Sequence, residues 1–249
     1  MSGKPHILRT DAVVLRSIEF SETSRIVTLF TRERGRLSVI AKGARSSKSR
    51  FGSTLEPLSH IQVVVFCKAG RELQQLTETS HIDVWRGIRT TLPKLEIGYR
   101  MLELTSALMH QEEANPGVYV LLASVLSALD ATDERIGNLW PYFQLRLAAA
   151  LGFGPAFDAD EVRALEADTA RLDLQTGRIG TGISGREGSR RALRAFAVLS
   201  RARLGDVLSM RVDPPLMREV ESLTVAYVTY HVEAAYPNRA ASVFAQLER

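Results

Sequence analysis

A dense run of basic side chains between residues 31 and 50 is the strongest indication of chemistry in this sequence. The stretch TRERGRLSVIAKGARSSKSR carries seven cations against a single acid, Glu33. Lysine and arginine at this density neutralise phosphates, so the stretch is typical of contact with a nucleic-acid backbone. A solvated charged face is the alternative that charge alone leaves open. The candidate phosphate-binding residues are Arg32, Arg34, Arg36, Lys42, Arg45, Lys48 and Arg50.

Two further sets of residues are candidates for binding. Phe51 directly follows Arg50. Its ring either stacks on a base or anchors the core of a small β-domain, and the sequence leaves both interpretations open. A second basic group either extends a DNA track or solvates a helix, and it consists of Arg186, Arg190, Arg191 and Arg194.

The segment GTGISG at residues 180–185 matches the glycine pattern G-x-G-x-x-G. Such a turn can place a pyrophosphate on a helix N-terminus, so a dinucleotide-binding enzyme is one hypothesis. The preceding strand around Leu172 is weak, and no second strand with an acid follows about twenty residues later. A glycine loop without a ligand is therefore the favoured interpretation.

Cysteine and histidine usage argues against a metal or catalytic centre. Cys67 is the only cysteine, and the five histidines are scattered without the spacing of a metal-binding helix. The sequence therefore predicts no catalytic site, no metal and no cofactor. A single cysteine is typical of a protein in a reducing cytoplasm, and Cys67 itself is expected to be a buried small hydrophobe. No apolar run reaches the ~18 residues of a membrane helix, so no membrane partner is expected.

Short β-strands must position the basic stretch, because residues 7–80 are rich in β-branched residues. Five strands in about 75 residues predict a small closed barrel of the OB type, with an SH3-like barrel as the competitor. Leu37, Val39 and Ala41 alternate as in a half-buried strand. The run IQVVVFC predicts a strand that is buried on both faces. The predicted strands are residues 12–18, 25–30, 37–41, 61–67 and 71–77.

Helical periodicity begins at Leu92 and predicts a bundle. Helices are expected from Pro93, from Asn115 with Pro116 in the first turn, and from near Asp133. Pro141 should kink the third helix or mark its true first turn. Residues 153–185 form an irregular insertion, with a short acidic helix at 158–168 and two short strands around Thr176 and Gly177. The last helix is expected to open at Asp213-Pro214-Pro215 and to end before Pro237.

The positive charge is concentrated in the N-terminal third. Residues 1–80 hold thirteen basic and seven acidic residues, a net charge of +6, and the remaining 19 basic and 21 acidic residues give −2. This asymmetry favours nucleic-acid binding over a solvated face. We therefore predict an α+β protein: an OB-fold nucleic-acid-binding domain at 1–80, then a helical domain at 81–249 with an irregular insertion at about 153–186.

These segments resemble the RecO family of DNA repair and recombination mediators. The AKGAR block at residues 41–45 and the SRF that follows at 49–51 are the most specific. The similarity extends over nearly the whole chain and is strongest in residues 10–60. The other matching segments are AVVLR at 12–16, ETSRIVTLFT at 22–31, GRL at 35–37, LEPL at 55–58, LGFGP at 151–155, YVTYHV at 227–232 and ASVF at 241–244.

The resemblance implies an OB-fold followed by a helical domain, often with a four-cysteine zinc ribbon inserted. Here the first cysteine pair would fall near Asp160 and Arg163, and the second within residues 180–185. Because these cysteines are absent, the ribbon is degenerate and the resemblance implies no zinc ion in this chain.

The family acts in double-strand-break and gap repair through the RecF pathway. It binds single- and double-stranded DNA, anneals complementary strands and helps load recombinase. Its partners are RecR and the C-terminal tail of single-stranded DNA-binding protein. The resemblance implies a cytoplasmic protein that associates with the nucleoid. A protein-interaction scaffold with incidental DNA binding is the alternative from another functional class.

Overall fold

The computed structural model describes residues 5–232 and Tyr236. Its contacts divide the chain into two compact units, one ending at Asp130 and the other beginning at Ala131. The first unit holds the predicted barrel together with the two helices that follow it. The sequence-based boundary after residue 80 stays a prediction. The resemblance at residues 241–244 and the predicted end of the last helix before Pro237 lie outside the described residues.

Five strands of the first unit form a closed barrel in the order β1-β2-β3-β5-β4. All neighbours are antiparallel except β3 and β5, which are parallel. This strand order, with its parallel β3–β5 pair, is that of an OB-fold, which confirms the predicted fold class. The strands are β1 (His6–Phe20), β2 (Ser24–Thr31), β3 (Gly35–Ala41), β4 (His60–Cys67) and β5 (Gln74–Asp83).

Strand alternation fills the barrel from inside. Leu37, Val39 and Ala41 are buried as predicted, while the residues between them face outward. The expectation that β4 is buried on both faces is wrong, because a barrel has only one interior and Gln62 and Phe66 point away from it. β1 is longer than predicted because its first half pairs with β4 and its second half with β2.

Helices α1 (Leu92–Leu108) and α2 (Pro116–Ala131) complete the first unit. The predicted cap of α2 is confirmed, since Asn115 Oδ1 accepts from the backbone N–H of Val118 at 3.1 Å. Helix α2 is fastened near the barrel by Tyr119, whose hydroxyl lies 2.8 Å from His60 Nε2. The aromatic contact of Tyr119 with Phe30 of β2 adds to this packing.

The second unit contains helices and a small antiparallel sheet. The sheet has the order β7-β6-β8, so the helical region contains three short strands, one more than predicted. Helices α3, α5 and α7 bury Phe143, Phe196 and Tyr227. The elements are α3 (Leu139–Ala150), α4 (Ala159–Arg163), β6 (Thr169–Leu172), β7 (Ile179–Gly180), β8 (Arg186–Ser189), α5 (Arg190–Arg201), α6 (Leu204–Ser209) and α7 (Pro214–Val232).

Two expectations for the helices are corrected. The third helix begins at Leu139 rather than near Asp133, after a short 3₁₀ turn, and Pro141 lies in its first turn where no N–H is needed. The expected bundle of the first three helices is wrong, because α3 packs with α5 and α7 within the second unit. The start of α7 is as predicted, with Asp213 accepting from the backbone N–H of Leu216.

Candidate nucleic-acid interface

The seven predicted phosphate-binding residues lie at the two ends of β3 instead of forming one cluster. Six strand steps at about 3.3 Å per residue separate these ends by roughly 20 Å. We call the residues at the start of β3 the turn group, and those in the loop that follows β3 the loop group. The turn group is Arg32, Arg34 and Arg36, and the loop group is Lys42, Arg45, Lys48 and Arg50.

The turn group contacts the last turn of α1 and the connection between α1 and α2. Arg34 forms an ion pair with Glu112, Nη2 to Oε2 at 3.0 Å, and Arg36 donates to the backbone carbonyl of Ser106. Gly35 has a φ of +62°, and a Cβ there would lie 1.8 Å from a backbone oxygen of the same connection. Arg32 is exposed and has no ion pair within the described part of the chain. Two of the three arginines are therefore occupied by structural contacts.

The loop group is more available to a ligand. Arg45 is occupied: it pairs with Glu19 at 2.9 Å and donates to the Ser21 carbonyl, which ties the loop to the β1–β2 turn. Lys42, Lys48 and Arg50 are exposed, and no carboxylate within residues 5–232 lies within ion-pair distance of them. Three cations at one end of the barrel are thus ready for phosphate.

Phe51 belongs to the barrel core. Its ring is 2% exposed and packs with the residues that line the barrel interior. The hypothesis of a base-stacking ring is therefore wrong for Phe51, and the core-anchor interpretation is correct. The exposed aromatic rings on the barrel are those of Phe20, at the end of β1, and Phe66, on β4. Strand alternation within a one-sided barrel is the signal that could have found Phe66.

A cleft of about 600 Å³ adjoins the β4–β5 loop. Lys68 and Arg71 line it together with His6 and Arg34 of the turn group. Cys67 also lines this cleft but is nearly fully buried, and burial raises the pKa of its thiol. The predicted buried character of Cys67 is confirmed, and the cleft adds cations that the sequence analysis did not select.

The second basic group is engaged in contacts inside its own unit. Arg190 pairs with Asp168 and Arg191 pairs with Asp213. Arg194 donates to three backbone carbonyls, those of Val162, Arg163 and Leu165. Arg186 donates to the Ser222 hydroxyl at 3.2 Å. Their role in extending a DNA track stays a prediction, and their contacts favour a structural role.

The glycine segment at residues 180–185 connects two strands that both pair with β6. A strand, β8, follows it, and the next helix, α5, begins only at Arg190. The next helix, α5, has its N-terminal cap residue Ser189 bound by Glu219, which accepts from both the backbone N–H and the hydroxyl. A carboxylate thus occupies the place where a pyrophosphate would bind.

The insertion does not fit a zinc ion. Asp160 and Arg163, which stand where the first cysteine pair would fall, form an ion pair at 2.6 Å. Within the described residues, no group of histidine, cysteine, aspartate and glutamate side chains could hold a metal. The sheet is instead packed through Ala170, Leu172 and Ile179, which are buried.

A closed OB-fold barrel that presents unpaired cations on a loop is typical of nucleic-acid-binding proteins. Models of two parts of one family match this chain: the recombination protein O N-terminal part at residues 3–85, and its C-terminal part at residues 89–240. The chain therefore belongs to the RecO family of DNA repair proteins.

Curated relatives agree with this assignment. The chain is 46% identical to the DNA repair protein RecO of Salinibacter ruber, over 97% of this chain and 95% of that protein. It is 28% identical to the RecO of Chloroherpeton thalassium, over 97% of this chain and 99% of that protein. With the RecO of Chlorobium limicola it shares 36% identity over 61% of this chain and 58% of that protein. Among the described residues, no helix is long and apolar enough to cross a membrane.

Proposed function

We propose that this chain is a DNA-binding recombination mediator without catalytic activity, acting in double-strand-break and gap repair. It binds single- and double-stranded DNA, anneals complementary strands and assists recombinase loading with RecR and single-stranded DNA-binding protein. It works in the cytoplasm on nucleoid DNA. The observation that carries the proposal is the trio Lys42, Lys48 and Arg50, which are exposed and have no carboxylate partner among the described residues, on an OB-fold of the RecO family.

Electrostatics explains how such a surface promotes annealing. Two DNA strands repel each other because both are polyanions. Cations that engage phosphates of both strands lower this repulsion and release condensed counterions. Lys42, Lys48 and Arg50 lie on one loop, so they supply their charges at the same place. The barrel therefore brings strands together without any covalent chemistry.

A salt titration tests the phosphate contacts. Each cation that neutralises a phosphate of a single strand contributes about −0.7 to the slope of log K against log salt. The variant Lys42→Ala/Lys48→Ala/Arg50→Ala should therefore flatten the slope by about 2. The matched control is Arg163→Ala/Arg171→Ala/Arg178→Ala, which removes three exposed charges of the second unit that lie outside the second basic group. Equal slopes for parent and loop variant would remove these residues from the interface.

The annealing role is tested on complementary strands coated with the cognate single-stranded DNA-binding protein. The parent chain should accelerate duplex formation, and the loop variant should lose most of this acceleration at moderate salt. Addition of RecR tests the proposed partnership through recombinase loading on the same coated strands. Absence of acceleration with the parent chain would contradict the mediator proposal.

One observation favours a second function, the docking of proteins. A groove of about 550 Å³ in the second unit has an apolar floor that includes Phe157, Val162 and Val198. Arg163, Arg194 and Arg201 line the same groove. Apolar contacts beside cations suit an acidic, hydrophobic peptide, which is the chemistry proposed for the tail of single-stranded DNA-binding protein.

The mediator and scaffold functions are distinguished by measuring the affinities of the same chain for oligonucleotides and for the acidic tail peptide. A scaffold predicts tight binding of the acidic tail peptide together with weak oligonucleotide binding that does not depend on length. A mediator predicts that oligonucleotide affinity rises with length and falls in the loop variant. The variant Val198→Asp should weaken the peptide alone, because it places a carboxylate in the apolar floor.

A further inference from the structure

A row of four apolar side chains and one glutamine crosses the outer surface of the barrel, and no contact described above uses it. Ile18 of β1 pairs with Ile26 of β2, and Ile26 pairs with Ile40 of β3. Ile40 pairs with Gln75 of β5, and Gln75 pairs with Phe66 of β4. Directly paired residues point to the same face, so these five side chains form one continuous outward row, the barrel row.

The barrel row is exposed where its largest side chains lie. Ile18 and Phe66 are 40% and 39% exposed, and Phe20, two residues beyond Ile18 on the same face, is 47% exposed. Neighbouring strands are about 4.8 Å apart, so four steps extend the row over roughly 19 Å of barrel surface. An aromatic ring therefore lies near each end of this mostly apolar row.

The charges beside the barrel row identify its occupant. Residues two positions away along each strand lie on the same face, which gives ten flanking positions. Three of these are the cations Arg16, Lys42 and Lys68, and none is a carboxylate. No ion pair engages these three within the described residues. Apolar and aromatic side chains bordered by cations match a polymer that has flat bases on one side and phosphates on the other.

We infer that the barrel row is the base-binding track for a single strand, with Phe20 and Phe66 as its stacking residues. The strand crosses β1, β2, β3, β5 and β4, and its phosphates contact Lys42 at one border and Lys68 at another. In OB-folds the face of the second and third strands, with the β1–β2 and β4–β5 loops, is suited to oligonucleotides. This inference rests on the proposed function, because it assumes that the ligand is DNA.

Binding of a labelled oligothymidine to the full chain tests the track. Phe20→Ser and Phe66→Ser should each weaken the affinity by about tenfold, since each removes one stacking contact. The variant Phe66→Tyr keeps an aromatic ring at this position and should bind oligothymidine with the affinity of the parent chain. The control Ile82→Ser removes an apolar side chain of similar exposure on β5, outside the barrel row, and should bind as the parent does. An abasic strand of equal length should bind parent and serine variants alike, because it offers phosphates without bases.

The outcomes separate this inference from the proposed function. Unchanged affinity in both serine variants, with weaker binding still seen in the Lys42→Ala/Lys48→Ala/Arg50→Ala variant, overturns the track and leaves DNA binding intact. Serine variants that lose self-association while keeping oligothymidine affinity also overturn it, because the face is then a protein interface. A parent chain that binds no oligonucleotide overturns both. A tenfold loss confined to strands that carry bases, with an unchanged salt slope, supports the track.

Discussion

The basic loop after β3 and the basic helix α5 contrast sharply although both are rich in cations. In the loop, Lys42, Lys48 and Arg50 are exposed and lack carboxylate partners among the described residues. In α5, Arg191 is held by a carboxylate and Arg194 by backbone carbonyls. The same formal charge is thus available for ligands in one region and committed to structure in the other.

The difference follows from the neighbours of each region. Helix α4 is only five residues long, so carbonyls near its C-terminal end have no intrahelical partner. The guanidinium of Arg194 has five N–H donors in a planar fork, which lets one side chain satisfy several such carbonyls. Within the described residues, Arg45 is the cation of the loop after β3 whose side chain makes hydrogen bonds or ion pairs to acceptors.

The largest expected loss of stability concerns Phe51, because this residue directly follows the basic loop and yet packs in the barrel core. Phe51→Ala should destabilise the barrel by about 3–5 kcal/mol, the usual range for a truncated core phenylalanine. Denaturant unfolding followed by circular dichroism measures this change. The control Phe20→Ala truncates an exposed ring and should stay within about 0.5 kcal/mol of the parent. Similar losses in the two variants would show that Phe51 is not the core anchor.

A smaller loss of stability is expected when Arg194 of α5, which donates to backbone carbonyls, is truncated. Arg194→Ala leaves three carbonyls without their donor and should cost about 1–3 kcal/mol in the second unit. Arg191→Ala removes an exposed ion pair with Asp213 and should cost less than about 1 kcal/mol. Equilibrium unfolding of both variants gives the comparison. If Arg194→Ala proved as mild as Arg191→Ala, the structural assignment of Arg194 would be lost.

A half-buried titratable group in the first unit, His60, gives a pH-dependent test. Burial lowers the pKa of His60, against the opposing influence of Asp11 and Asp83, so the folded state favours the neutral ring. This contribution to stability is complete above the unfolded-state value of about 6.5 and is lost as the pH falls from there towards the folded-state pKa.

The loss has an upper limit of about 1.4 kcal/mol per pH unit, the value for one proton. Unfolding measurements between about pH 5 and 8 should show the parent weakening at acidic pH relative to His60→Gln. Parallel curves for the two proteins would show that His60 does not carry this dependence.

The smallest effect on stability is expected from the available cations of the loop. Lys42→Ala/Lys48→Ala/Arg50→Ala should leave the unfolding free energy within about 0.5 kcal/mol of the parent, because exposed unpaired side chains contribute little. The same variant should flatten the salt slope by about 2. If the loop variant lost as much stability as is expected for Arg194→Ala, the loop cations would have a structural role like that of Arg194.

Local patterns predicted much of the fold. The alternation of Leu37, Val39 and Ala41 located β3, and Asn115 with Pro116 located the start of α2, since both signals depend only on neighbouring residues. The start of α3 and the partners of that helix were missed, because they depend on packing with α5 and α7 rather than on periodicity. The full length of β1 was missed because it is set by pairing with β4.

The candidate site was predicted less completely than the fold. The sequence selected the cationic stretch, but it could not distinguish Arg45, held by Glu19, from Lys48, which has no such partner among the described residues. It also selected Phe51 and overlooked Phe66. Alternation along β4 places Phe66 outside only once the strand is known to belong to a barrel with a single interior, and barrel closure depends on long-range pairing.

Residue type and spacing by themselves indicated a basic β-rich domain, a helical region and the absence of a cysteine-based metal site, and they left the OB-type and SH3-like barrels open. These properties follow from strand alternation, helix periodicity and composition, which act within a few residues along the chain. Only the tertiary structure decided which cations remain available. Arg34 is neutralised by Glu112, which is 78 positions away, and an ion pair over such a separation exists only once the chain has folded.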